Sequence, residues 1–120
     1  GPARLDALKR LLYPPGHVPD ESSLEEILRE GFDKPIDRVT ARYQLTAIQA
    51  HDTRSRLHEL GGVPTLILRP DRDILVRPVN SDRIHRRIPN AKLLAFRDGG
   101  HGLTAQYAEA VNAHLRAHFR

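Results

Sequence analysis

The sequence predicts an α/β fold: a helical part over residues 3–60, followed by a β-α-β-α unit over residues 61–120. Three observations carry this. Up to Gly61-Gly62 the apolar residues recur at three or four positions, as on one face of a helix. Beyond it, Val63-Pro64-Thr65-Leu66-Ile67-Leu68 and Ala91-Lys92-Leu93-Leu94-Ala95-Phe96 are apolar, β-rich runs of strand length. Between those runs and after the second, helical spacing returns, and strand, helix, strand is the order of a parallel crossover.

In the first helix Leu5, Leu8, Leu11 and Leu12 share a face, and Tyr13-Pro14-Pro15-Gly16 ends it because consecutive prolines cannot continue a helix. Gly1-Pro2 reads as the remnant of a cleaved tag and is set aside. Ser22 or Ser23 is placed to cap a second helix carrying Leu24, Ile27 and Leu28, with Glu25 and Glu26 at its positive end and Gly31 closing it. A third helix is expected from about Pro35 to His51, with Ile36, Val39, Tyr43, Ala47 and Ala50 as its apolar face. Asp52 or Thr53 is expected to cap a fourth, bearing Leu57 and Leu60.

The apolar run at 63–68 suits a strand covered on both faces. Residues 70–78 read as a loop, and Asn80 or Ser81 as the cap of a helix bearing Ile84 and Ile88. After Asp98-Gly99-Gly100-His101-Gly102, Leu103, Tyr107, Val111, Leu115 and Phe119 recur every fourth residue, which predicts one final helix with Thr104 as its cap.

With 39% hydrophobic and 28% charged residues, the chain has the composition of a folded rather than a disordered protein. The absence of cysteine excludes disulfides, thiolate metal sites and a cysteine nucleophile, and suits a cytoplasmic protein. The net charge of +4 comes from arginines interleaved with acids, as in Arg4-Leu5-Asp6 and Asp71-Arg72-Asp73. Only Arg83, Arg86, Arg87 and Lys92 gather, and there is no tryptophan to stack on a base, so no nucleic-acid partner is expected. No run approaches the roughly 18 apolar residues of a membrane span, and no secretion signal opens the chain, so no membrane partner is expected either.

Three further groups have plain structural readings. His114 and His118, four apart, read as a helix face, because no third ligand accompanies them and no metal or other cofactor is expected. Arg83, His85, Arg86 and Arg87 alternate with Ile84 and Ile88 as the wet side of an amphipathic helix. Tyr43 and Phe32, at helical spacing, read as core rather than pocket wall.

The order of the run at 63–68, Asp71-Arg72-Asp73, Ile88-Pro89-Asn90-Ala91 and Gly100-His101-Gly102 resembles the last two strands of α/β-hydrolases. In that family the catalytic acid follows the penultimate strand and the histidine the last one. The resemblance therefore implies Asp73 as acid and His101, 28 residues later, as histidine. The helical part is similar to the cap inserted over the active site, and residues 50–57 to the return from cap to sheet. The implied activity is serine hydrolysis of an ester, lactone or similar carbonyl substrate. A serine hydroxyl cannot attack unaided, so a histidine takes its proton and a carboxylate orients the histidine.

Two departures from the family bear on that expectation. The nucleophile belongs in a GxSxG turn upstream, and none of Ser22, Ser23, Ser55 or Ser81 has that context; an oxyanion-hole loop is missing too. Pro70 stands where the family usually has glycine three residues before the acid, which leaves Asp71 as a second candidate. The chain is also shorter than a complete hydrolase. The expectation is thus an incomplete fold, inactive alone and taking a small-molecule substrate only when completed by homo-oligomerisation or a missing N-terminal half. The alternative is a non-catalytic binding or self-assembly module derived from that fold.

Overall fold

A computed structural model describes residues 2–32 and 37–120, apart from the side chains of Ser23, Ile27 and Phe32. Pro35 and Ile36, expected in the third helix, lie outside the described residues, as do the roles assigned to the Ser23, Ile27 and Phe32 side chains.

Helix α1 spans Pro2–Leu12. Pro2 takes part in the fold after all, at a first helical position where its missing N–H costs nothing. Helix α2, Glu21–Phe32, runs through Gly31 rather than stopping at it. At its start the Asp20 carboxylate accepts the Ser22 N–H at 3.2 Å and the Ser22 hydroxyl at 2.8 Å, so Ser22 is held by Asp20 rather than acting as the cap. An ionised carboxylate also suits the positive helix end better than a neutral hydroxyl. The two helices pack together, with Lys9 paired to Glu21 across them and Leu24 only 1% exposed.

Helix α3, Arg38–Ala50, begins where the Asp37 carboxylate accepts the Thr40 N–H at 2.9 Å. None of its residues is buried; Tyr43 is 72% exposed and Ile48 70%. The apolar stripe read as core is therefore open to solvent. The expected fourth α-helix is instead a six-residue 3₁₀ turn, Leu57–Gly62. Asp52 turns the chain before it by accepting the Arg54 N–H at 3.0 Å and pairing with its guanidinium. Gly61-Gly62 and Pro64 leave too short a stretch for an α-helix, and short pieces favour the tighter 3₁₀ form.

Strands β1, Leu66–Pro70, and β2, Lys92–Phe96, pair in parallel, from Leu66 opposite Lys92 to Pro70 opposite Phe96. The first strand starts three residues later than its apolar run because Pro64 has no N–H for a ladder and Val63 still closes the 3₁₀ turn. Helix α4, Val79–His85, makes the crossover and packs on both strands. Asn80 and Ser81 lie inside it, and no side chain caps it. Ile88, beyond its end, is 4% exposed, and Asn90 at φ 63° turns the chain into β2.

The final helix is broken in two: α5, Leu103–Gln106, and α6, Ala108–His118, meet at Tyr107, with Gly102 rather than Thr104 at the start. A strict four-residue spacing drifts by about 40° per step on a 3.6-residue helix, so Leu103 and Phe119, four steps apart, could not share one face of a single straight helix. Leu103 and Val111 are buried with Ile88 in the core, while Phe119 remains 81% exposed. No residue of either strand is buried, so the expected two-sided cover of the sheet is not present among the described residues.

Candidate active site

The two strand ends bring the predicted residues together. At the end of β1 the Asp71 N–H donates to the Phe96 carbonyl at 3.0 Å, and the Arg72 N–H to the Gly99 carbonyl at 2.9 Å. These bonds lash the loop after β1 to the loop after β2. Asp73 then faces His101, with Oδ2 3.0 Å from the ring Nδ1. Its other oxygen, Oδ1, accepts the N–H groups of Leu75 at 2.8 Å and Val76 at 2.9 Å. The Asp73 side chain is 5% exposed and that of His101 38%.

Burial pushes the Asp73 carboxyl upward, but the Val76 N–H, the His101 ring and the Leu75 N–H together outweigh it and hold the group below the usual carboxylate range. An ionised carboxylate only accepts hydrogen bonds, so Nδ1 carries the ring proton and Nε2 is left as the basic nitrogen. A fixed tautomer with Nε2 free is what proton abstraction requires.

Asp71, the second candidate, is engaged elsewhere. Arg69 bridges it at 2.7 Å to Asp82 of α4 at 2.6 Å. Pro70 ends β1 in register with Phe96, and the turn after it delivers Asp73 to His101 without glycine.

The glycines around His101, which in the sequence suggest a sharp bend with room beside the ring, make room for another element. Neither has a positive φ. A Cβ on Gly100 would lie 2.5 Å from the Leu12 carbonyl oxygen and 2.8 Å from Pro14 Cδ, and one on Gly102 would lie 2.7 Å from the Tyr13 ring. The room is used by the end of α1, whose Leu12 carbonyl accepts the Gly102 N–H at 2.7 Å. From within, Gln106 accepts the Gly100 N–H at 2.9 Å and donates to the Asp98 carbonyl at 2.8 Å. Neither partner is legible from the sequence, because each contact joins a backbone group to a residue with no motif of its own. Beside Asp73 lies an open pocket of about 460 Å³, lined by Leu11, Tyr13, Pro15, Ile74 and Gly100 among others.

The other singled-out side chains lie apart from this pair. The Ser22 hydroxyl is spent on Asp20, Ser55 lies in the turn before the 3₁₀ segment, and Ser81 is inside α4. His118 Nε2 is 3.2 Å from the Pro64 carbonyl oxygen, and no group of three His, Cys, Asp or Glu able to hold a metal occurs among the described residues. Among those residues no helix is long and apolar enough to cross a membrane.

A strand, an acid, a crossover helix, a second strand and a histidine paired to that acid are the closing elements of one known architecture. The family model described as TAP-like protein, an α/β-hydrolase model, matches residues 38–120, and the chain belongs to the α/β-hydrolase family. Its fold is α/β-hydrolase-like, with a partial two-stranded sheet and a helical cap. No curated protein matches the chain. Among solved structures it is similar to the "Putative non-heme bromoperoxidase BpoC from Mycobacterium tuberculosis H37Rv", at 20% identity and a TM-score of 0.67. That match covers 98% of this chain and 44% of the other, so the chain spans less than half the length of the structure it resembles.

Proposed function

We propose that this chain supplies the acid and the histidine of a serine hydrolase acting on an ester, lactone or similar carbonyl substrate. Asp73 orients His101 and stabilises its charge, and Nε2 takes the proton of a serine that lies outside this chain. Residues 3–60 act as the cap and residues 61–120 as the end of the catalytic core. The observation that carries this reading is the 3.0 Å approach of Asp73 to Nδ1 of His101 across 28 residues, with the carboxylate's other oxygen already held by two N–H groups. The chain alone is inactive, and activity requires a polypeptide bearing GxSxG on a strand-to-helix turn.

The exposed apolar side chains of α3 and the incompletely buried strands favour completion by other protein surface, either a preceding half or another copy of the chain. The same surface supports a second reading, a self-assembly module without chemistry. The test joins this chain to an upstream segment with GxSxG and follows hydrolysis of a p-nitrophenyl ester. The hydrolase reading expects turnover that His101→Ala lowers by about 10⁴ or more. Turnover indifferent to His101→Ala leaves the assembly reading in its place.

A further inference from the structure

Two backbone groups of the loop that carries His101 end on one side chain. The Gly100 N–H is in a buried residue and must find a partner, and Gln106 Oε1 accepts it at 2.9 Å. Gln106 Nε2 donates to the Asp98 carbonyl at 2.8 Å. The two partners are of opposite kind, an N–H and a C=O, so only one orientation of the amide satisfies both. A glutamate at this place could accept from Gly100 but not donate to Asp98, and a leucine could do neither. Gln106 closes α5, just before the break at Tyr107, and its own N–H is bonded to the Gly102 carbonyl at 2.9 Å. The loop is thus fastened at Asp98, Gly100 and Gly102 by one residue, in addition to the Leu12 carbonyl.

We propose that Gln106 is a positioning residue for His101, fixing residues 98–102 so that the imidazole Nδ1 stays on Asp73. The proposal rests on the Asp73–His101 reading above. Gln106 touches neither the ring nor the reacting atoms, so its effect is on the ring's tautomer and placement.

The test is histidine-selective ¹⁵N–¹H long-range spectra, with amide exchange, on the full chain at a pH where His101 is neutral. In wild type His101 should be mainly the Nδ1–H tautomer. Gln106→Leu should lower that share by at least half and speed Gly100 amide exchange about fivefold, the loss of one net hydrogen bond. Gln106→Glu keeps the acceptor, so Gly100 exchange should stay within about twofold of wild type, while the tautomer share falls between those of wild type and Gln106→Leu. A wild-type tautomer share in Gln106→Leu, with Asp73→Asn changing it, overturns the role of Gln106 and leaves the pair standing. No change in Asp73→Asn either overturns the pair and the proposal with it. Should Gln106→Leu not fold, a wild-type share in Gln106→Glu is the overturning result.

Discussion

The carbonyl oxygen of Leu12 accepts the backbone N–H of Gly102 at 2.7 Å, tying the end of α1 to the loop that carries His101. Helix α1 and the loop carrying His101 are therefore in backbone contact, and the glycines there are required by proximity rather than by left-handed backbone. Gly100→Ala and Gly102→Ala should each cost about 1–3 kcal/mol, because the added carbon meets backbone or ring that cannot easily withdraw. Gly62→Ala, with nothing within 4 Å of its added carbon, should stay within about 0.5 kcal/mol. Urea denaturation compares the three.

Pro70 does not keep Asp73 from His101. Pro70→Gly should preserve the His101 tautomer and lose about 0.4–1 kcal/mol, mainly by freeing the unfolded chain. Asp71→Asn should likewise leave the His101 spectrum unchanged, since Asp71 belongs to Arg69, whereas Asp73→Asn should alter it.

The folded state holds the Asp73 carboxyl below its ordinary range. A group depressed on folding adds stability that is fully present above its unfolded value, about 3.9, and is lost as pH falls through the folded value. The melting temperature should therefore drop below about pH 4, and Asp73→Asn should flatten that part of the curve while lowering stability near neutrality. Calorimetry from pH 2.5 to 7 measures both.

The exposed face of α3 predicts association. At micromolar concentration light scattering should find the wild-type chain as an oligomer, and Tyr43→Glu with Ile48→Glu should shift it toward monomer. A wild-type chain that stays monomeric counts against completion by self-assembly.

What the sequence made legible was the part set by local periodicity and by the prolines at 14 and 15. Leu5, Leu8 and Leu12 with Pro14-Pro15 bounded α1, and the two β-rich runs with Ile84 between them gave the parallel crossover. The family resemblance drew Asp73 and His101 together as candidates. Long-range partners set the rest. The four-residue spacing from Leu103 hid the break at Tyr107, Tyr43 had a core-like period but no core to enter, and the Gln106 and Leu12 bonds join residues that no spacing rule connects. At the start of α2, Asp20, just outside the helix, holds the Ser22 to which a cap was assigned, and Asp37 caps α3, for which no cap was read.

The most direct measurement is labelling by a serine-reactive fluorophosphonate, made on this chain alone and on the chain joined to an upstream GxSxG segment. The chain alone should take no label, while the joined protein should be labelled on the turn serine at a rate that His101→Ala abolishes. Labelling of Ser22, Ser23, Ser55 or Ser81 in the chain alone, or labelling of the joined protein that ignores His101, would contradict the assignment of Asp73 and His101 as two members of a three-residue machinery.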